Sequence, residues 1–160
     1  MAYENDVYDT AISDGMPPAL ALLIVAQSKH ESNNYTSSVF LNCNNAFGYA
    51  ATSNSCPGHE FYQAYNNIID STHELTAWIK RRLSEGNFPP LQTITTPQQY
   101  AQLLSDNNYY TDSVANYAAG LSNWFSSNIG TIAGVSVAGV LAGLIIFYFL
   151  FKKELHVYKN

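Results

Sequence analysis

The strongest constraint on this chain is a run of 23 uncharged residues near its C-terminus, residues 129–151. At a rise of about 1.5 Å per residue, a helix of that length reaches across a hydrocarbon layer about 30 Å thick. The alternative is a buried core helix, but soluble domains of this size rarely hide so long an uncharged helix. The run therefore predicts one transmembrane helix at residues 128–151, between a folded domain at 1–127 and a short basic tail at 152–160.

The basic residues around this span predict its orientation. Lys152, Lys153 and Lys159 follow it, whereas the last basic residue before it is Arg82. By the positive-inside rule, the tail lies in the cytoplasm or on the equivalent face of another membrane. The sequence thus predicts a single-pass membrane protein whose N-terminal domain faces outward.

Two further patterns concern the membrane. No secretory signal opens the chain, because residues 1–9 are acidic and the first apolar run follows without a basic n-region or a cleavage site. Insertion would then use the C-terminal span, as in proteins inserted late into a membrane, including the internal membrane of a virus particle. Two GxxxG spacings in the span can mediate helix pairing, in a homo-oligomer or with virion neighbours, although small residues are common in such helices: Gly130/Gly134 and Gly139/Gly143.

Charge and composition narrow the classes of protein for the outward domain. With 47% apolar and 14% aromatic residues, the chain is not disordered and has material for one core. Residues 1–128 carry eleven acidic side chains against four basic ones. Nucleic acid is therefore not expected as a partner.

The first apolar run, residues 16–32, ends on a carboxylate. Pro17 and Pro18 predict a helix with proline in its first turn, and one face of that helix is expected to be buried: Leu20, Leu23, Ile24, Gln27 and Glu31. A carboxyl group at the end of a buried stripe is partly desolvated, and the helix C-terminus disfavours its charge further. Both effects raise the pKa of Glu31 toward the range of a general acid.

Three more helices are predicted from their start signals. The sequence Ser71-Thr-His-Glu74 is a capping box for a helix that ends before Gly86, and Thr96-Pro97-Gln-Gln99 opens the next one. Asp112 is predicted to cap a fourth helix that leads toward the membrane. The helical spacing of Trp78 and Trp124 with Leu and Ile favours packing over sugar stacking.

Residues 32–63 are rich in Asn, Ser and Gly and predict loops with a small irregular hairpin around residues 47–62. Within them, Cys43 and Cys56 are either a disulfide or two free thiols, and the outward location favours the bridge slightly. No CxxC or HxxxH spacing accompanies them, so no metal site is predicted. The fold class expected is mainly α, a helical domain with a small irregular β lobe, plus the transmembrane helix.

Three motifs in this order carry a resemblance: Gln27 with Glu31-Ser32, then Asn44-Asn45-Ala46-Phe47-Gly48, then Tyr109-Tyr110-Thr111-Asp112 with Tyr117. Together they are similar to the "AQ…ES", "N-x-FG" and "Y-x-T-D…Y" elements of the peptidoglycan glucosaminidases of bacteria and phages, in the lysozyme-like superfamily. That family is also described as mannosyl-glycoprotein endo-beta-N-acetylglucosaminidase-like. The resemblance covers roughly residues 14–125 and is specific as a set, although each piece alone is weak.

The resemblance implies a lysozyme-like helical domain that cleaves glycan strands of the bacterial cell wall. Glu31 matches the catalytic acid that protonates the glycosidic oxygen, and Tyr109 matches a tyrosine that stabilises positive charge developing on the sugar. No cofactor is required for such chemistry. The substrate-binding residues implied are Gln27, Asn45, Phe47, Tyr110 and Tyr117.

Some of these assignments have alternatives. Gln27 either binds the sugar or bridges backbone groups, and Asn45 and Phe47 are expected to shape the loop that frames the cleft. The chain departs from the family pattern in having Ser113 where a proline is common and His30 in place of an apolar residue before Glu31. Tyr117 also falls two residues later than the commonest spacing.

The second catalytic group is not evident. Glycoside cleavage usually needs two carboxylates, and Glu60 is the best candidate, although it is equally well explained as a solvated surface group. Without a second acid, the N-acetyl group of the substrate would attack, or its 6-hydroxyl would, as in lytic transglycosylases.

The function predicted is a membrane-anchored peptidoglycan hydrolase with Glu31 as general acid, acting in wall remodelling or as a virion enzyme for wall penetration. The alternative is a catalytically silent wall-binding or structural membrane protein, which has no need of a carboxylate at a costly half-buried site. A holin-like or fusion protein acting through the apolar helix ranks last, because it makes the motif set a coincidence.

Overall fold

The computed structural model describes residues 2–128. These residues form six α-helices, a two-stranded antiparallel sheet and one 3₁₀ turn. The predicted mainly helical domain with a small β lobe is confirmed. The elements are α1 (Ala2–Ser13), α2 (Pro18–Glu31), α3 (Ser38–Cys43), β1 (Ser55–Cys56), β2 (His59–Gln63), α4 (Ile68–Ser84), the 3₁₀ turn Leu91–Thr93, α5 (Pro97–Asp106) and α6 (Val114–Asn128).

None of the helices within residues 2–128 combines the length and the hydropathy needed to cross a membrane. The predicted span at residues 129–151 and the basic tail at 152–160 lie outside the described residues. The division of the chain at residue 127 accordingly stays a prediction.

Helix α2 is the centre of the domain. Every residue from Leu20 to Lys29 is buried, so burial extends all round the helix and not along one face as predicted. A helix that is apolar on all sides is stable only when neighbours cover it completely. Here α1 and α6 pack against it, and the 3₁₀ turn covers a further part.

Helix α1 is absent from the prediction, which treated residues 1–9 only as an acidic segment. Its buried residues Val7 and Ala11 lie four apart and therefore face the same side. This narrow apolar side packs on α2 and α4, so tertiary contact is what makes the segment a helix.

The helix starts are partly as predicted. The capping box of α5 is present, with Thr96 accepting from the Gln99 backbone N–H and the Gln99 side chain returning to Thr96. The box predicted at Ser71 is wrong, because Asn67 caps α4 earlier by accepting from the Asp70 N–H at 2.9 Å. Ser71 is buried inside the helix and donates to the Ile68 carbonyl at 3.0 Å.

The cap of α6 also differs from the prediction. The Ser113 hydroxyl accepts from the Asn116 backbone N–H at 3.2 Å, as an N-cap does. The Asp112 carboxylate instead accepts from the Ser113 N–H at 2.6 Å and from the Asn116 side chain at 3.2 Å. Asp112 therefore supports the cap from outside the helix.

The β lobe is tied to the helices by the Cys43–Cys56 disulfide, which joins the end of α3 to β1. The bridge, slightly favoured from the sequence, is confirmed. The hairpin of β1 and β2 spans residues 55–63, close to the range of 47–62 expected for it. Helix α3 was predicted as loop, but the Ser37 side chain accepts from the Phe40 N–H and starts a short helix there.

Candidate active site

Glu31 is the last residue of α2, and its position depends on how the helix ends. The Ser32 hydroxyl donates to the Ser28 carbonyl at 2.6 Å and accepts from the Tyr35 backbone N–H at 2.8 Å. Residues 33–35 then adopt left-handed backbone, with φ values of 51°, 57° and 63°. Such backbone cannot continue a right-handed helix, so the chain turns away directly beyond Glu31.

Glu31 meets α6 through its carboxylate. The Tyr117 hydroxyl donates to Glu31 Oε1 at 2.5 Å, a short hydrogen bond between the end of α2 and α6. The ring of His30 packs edge-on against the Tyr117 ring at 5.0 Å between centroids. Packing of α2 on α6 therefore fixes one oxygen of the carboxylate.

The environment of Glu31 favours its protonated form. Burial raises the pKa of the Glu31 carboxyl, while the Tyr117 hydrogen bond and the nearby His30 lower it, and the net shift is upward from 4.5. A carboxylic acid that retains its proton closer to neutral pH is suited to general acid catalysis.

The other carboxylate oxygen faces the loop of residues 45–49. Gly48 has φ +69°, and a Cβ built there would lie 3.6 Å from Glu31 Oε2. The Asn45 side chain holds this loop by donating to the Tyr49 carbonyl at 2.8 Å and the Gln63 carbonyl at 3.0 Å. Its oxygen accepts from the Tyr49 N–H at 3.1 Å. These contacts agree with the expected loop-shaping role of Asn45.

Tyr109, in the segment between α5 and α6, contacts the same loop. Its hydroxyl donates to the Phe47 carbonyl at 2.9 Å, and its ring packs edge-on against Trp78 at 5.3 Å and Tyr49 at 5.9 Å between centroids. Burial raises the pKa of the Tyr109 hydroxyl well above its usual value, so this group stays protonated. The Phe47 side chain is buried in the core, so the part of Phe47 that contacts Tyr109 by a hydrogen bond is its backbone carbonyl.

The remaining predicted residues occupy three different positions. Tyr110 stacks on Tyr117 at 3.8 Å between centroids and donates to the Ala101 carbonyl. Gln27 is fully buried on α2, and its Oε1 accepts from the Tyr100 hydroxyl of α5. Glu60 is exposed on β2, and its side chain has no hydrogen bond or ion pair with any described residue.

The structure thus brings together Glu31, Tyr117, Tyr109 and the Phe47–Gly48 backbone, and it does not join the Glu60 side chain to them by a hydrogen bond or ion pair within residues 2–128. Tyr100 was not among the predicted site residues, although its hydroxyl donates to Gln27 Oε1 at 2.6 Å. The sequence feature that could have indicated such a residue is Gln27 on the buried stripe, because a buried amide needs a polar partner. Within the described residues no group of three or more His, Cys, Asp or Glu is placed to hold a metal ion.

A close helix contact at the site leads to a test with Gly120 of α6. A Cβ at Gly120 would lie 2.7 Å from His30 Nδ1 and 3.0 Å from Nε2. Gly120→Ala is expected to lower the free energy of unfolding by about 1 kcal/mol, because overpacking exceeds the gain in helix propensity.

The His30→Ala background provides the control for this substitution. Without the ring, Gly120→Ala is expected to stabilise the domain by up to about 1 kcal/mol through helix propensity alone. Urea unfolding of the four variants measures both effects, and the same sign in both backgrounds would show that His30 is not the obstacle.

The raised pKa of Glu31 predicts how Glu31→Gln changes stability with pH. Because the folded state holds this proton more tightly than the unfolded chain, stability falls as pH rises from about 4.5 through the raised pKa. Glu31→Gln removes that loss, while Gln can still accept from Tyr117. We expect the variant to melt at a higher temperature than the parent at neutral pH and at an equal one below pH 4.5. A constant difference across pH would contradict the assignment.

Comparison with known proteins adds one match. A family model described as mannosyl-glycoprotein endo-beta-N-acetylglucosaminidase (glucosaminidase) matches residues 7–129. No curated protein and no solved structure matches the chain. The matched range contains every element that forms the site.

Proposed function

The chain belongs to the glucosaminidase family and is a glycoside hydrolase acting on glycans, and we propose that its substrate is the glycan strand of bacterial peptidoglycan, with Glu31 as general acid. One observation carries this proposal. The Glu31 carboxyl group, whose pKa is raised, lies at the end of the central helix, with the Tyr117 hydroxyl donating to one of its oxygens and Gly48 beside the other.

Glu31 acts by transferring its proton to the glycosidic oxygen. We place the proton on Oε2, because Oε1 accepts from Tyr117 and the residue beside Oε2 is Gly48, which has no side chain to cover it. The bond between the anomeric carbon and the oxygen breaks, and the leaving sugar departs with a neutral hydroxyl. Glu31 becomes a carboxylate at that moment, and the Tyr117 hydrogen bond stabilises the charge as it forms.

Tyr109 supports the other half of the transition state. Its proton is committed to the Phe47 carbonyl, so the lone pairs of its hydroxyl oxygen remain as acceptors. An electron-rich oxygen beside the anomeric carbon favours the oxocarbenium charge that develops there. The stacked Tyr110 and Tyr117 rings hold the adjoining wall of the site.

The attacking group comes from the substrate in this proposal. We propose the neighbouring N-acetyl group or the 6-hydroxyl as nucleophile because the best candidate for a second carboxylate, Glu60, is an exposed group on β2. Glu60 remains the alternative second acid and would then work across the cleft from β2. The product distinguishes these routes, because attack by the 6-hydroxyl leaves an anhydro sugar.

The setting proposed is a membrane surface. The uncharged run at residues 129–151 would anchor the chain and the lysines after it would keep the tail inside, so the domain faces outward and meets peptidoglycan close to the membrane. A bacterial envelope or the membrane of a virus particle provides such a surface. The GxxxG spacings would let two anchors pair.

The test offers the purified full chain, in mild detergent, two substrates that both contain β-linked N-acetylglucosamine. These are bacterial peptidoglycan and a high-mannose glycoprotein, the substrate named by the family description. We expect peptidoglycan to be fragmented and the glycoprotein to stay intact, with mass spectrometry identifying the new sugar end. Cleavage of the glycoprotein alone would contradict the proposed substrate. Folded protein that binds peptidoglycan and cleaves neither would establish the silent wall-binding alternative.

A further inference from the structure

We propose that Gln27 and Tyr100 are positioning residues that direct the Tyr117 hydroxyl proton to Glu31 Oε1 and so reserve Oε2 for the proton given to the glycan. The catalytic part of this inference rests on the proposed function of Glu31. The arrangement itself rests on the buried contacts between α2, α5 and α6.

The contact with Tyr100 determines the orientation of the Gln27 amide. Gln27 and Tyr100 are both 0% exposed, and the Tyr100 hydroxyl lies 2.6 Å from Gln27 Oε1. The hydroxyl has one proton, and the amide oxygen only accepts, so Tyr100 is the donor. The amide nitrogen Nε2 must then occupy the opposite end of the group.

Nε2 of Gln27 is buried and has no hydrogen-bond partner among the described residues. A buried amide without a partner is costly, and an apolar residue of similar size would fill the same space without that cost. The Gln27 amide nevertheless lies near enough to the Tyr117 hydroxyl to lower the pKa of that group, against the larger effects of burial and Glu31. We infer that Nε2 donates to the Tyr117 oxygen when Glu31 becomes ionised.

The Tyr117 hydroxyl is the next group in this arrangement. Burial and the neighbouring Glu31 raise the pKa of Tyr117 well above its usual value, so the group keeps its one proton. With Nε2 as a donor on one side, the acceptor left for that proton among residues 2–128 is Glu31 Oε1, 2.5 Å away. Tyr100, Gln27, Tyr117 and Glu31 then form a chain in which each group donates to the next.

The two carboxylate oxygens of Glu31 then have different roles. Oε1 is held by a donor in every state of the cycle, and Oε2 faces the Gly48 backbone and carries the transferable proton. A donor chain of this kind stabilises the ionised carboxylate more than the acid. Each break in the chain is therefore expected to raise the pKa of Glu31.

The test measures the pKa of Glu31 directly, by carboxyl ¹³C NMR of the full chain labelled at glutamate in detergent micelles. The Glu31 signal is assigned from its loss in Glu31→Gln. We expect the pKa to rise in Tyr117→Phe, and to rise by less in Gln27→Met and Tyr100→Phe. His30, which also lowers the pKa of Glu31, and the buried Tyr109 hydroxyl are unchanged in all three variants. Tyr8→Phe on α1, a tyrosine outside these contacts, serves as control and should leave the pKa unchanged.

The outcomes separate this inference from the proposed function. A Glu31 pKa that rises in Tyr117→Phe but equals that of the parent in both Gln27→Met and Tyr100→Phe, from folded protein, overturns it. Tyr100→Phe retains Gln27 and loses only the orienting donor, so it decides the question if Gln27→Met does not fold. In activity assays, Gln27→Met is expected to lower kcat about fivefold with KM unchanged, the equivalent of one lost hydrogen bond. If the parent cleaves no glycan, the proposed function fails while the NMR result still tests the donor chain.

Discussion

Glu31→Gln is expected to lower the rate of glycan cleavage about 100- to 10,000-fold, the range that loss of a general acid produces. The amide has nearly the shape of the carboxylic acid and can still accept from the Tyr117 hydroxyl, so the fold and the site geometry are retained. What the amide cannot do is give a proton to the leaving oxygen. The loss should therefore fall on kcat, with KM little changed.

Glu85→Gln provides the matched control. Glu85 lies at the end of α4, where its carboxylate pairs with Arg82 at 2.8 Å. The same chemical change there should leave cleavage within about twofold of the parent, since exposed ion pairs contribute little. Glu60→Gln belongs in the same experiment, because a loss as large as that of Glu31→Gln would make Glu60 the second carboxylate.

Residual cleavage by Glu31→Gln above about one tenth of the parent rate would contradict the assignment of the acid. The measurement is the initial rate of release of soluble fragments from purified peptidoglycan, with far-UV circular dichroism to confirm that each variant is folded. An acid elsewhere in the site would then have to be sought.

Removing the Cys43–Cys56 disulfide is expected to lower the free energy of unfolding by about 3 kcal/mol. The two cysteines are 13 residues apart in sequence, and the bridge closes that segment in the unfolded chain as well as in the folded one. In the chain-entropy account, loss of this restriction stabilises the unfolded state. For a domain of this size that is a large part of the total stability.

The effect should also reach the site, because Cys43 ends α3 just before the loop that faces Glu31. The Asn44 side chain donates to the Tyr65 carbonyl and Asn45 to the Gln63 carbonyl, so hydrogen bonds still join the loop to the β lobe after reduction. We expect activity to fall only as far as the domain unfolds at the assay temperature. Cooling should therefore restore it.

Urea unfolding of the full chain with and without reductant measures the change in stability. The double variant Cys43→Ser/Cys56→Ser is the control and should match the reduced parent under both conditions. If oxidised and reduced parent unfold at the same urea concentration, the bridge contributes nothing to stability and the prediction fails.

The sequence determined the features that depend on neighbouring residues. Pro17 and Pro18 before an apolar run specify where α2 begins, and Thr96 with Gln99 specifies the start of α5, because caps act within one turn. The same run places Glu31 at a helix end, which makes it the candidate acid. Short motifs in a fixed order indicated the family, and the family model matches residues 7–129.

Tertiary structure decided what depends on contacts between distant segments. Helix α1 forms because α2 and α4 cover its narrow apolar side, and α2 is buried on every side because α6 returns to it from the end of the domain. The partner of Glu31 is 86 residues away, and the partner of Gln27 is 73 residues away. The sequence placed an acid and a buried amide on one helix, but only the packing of α5 and α6 on that helix determines which hydroxyl each of them meets, since local patterns contain no information on the register between helices.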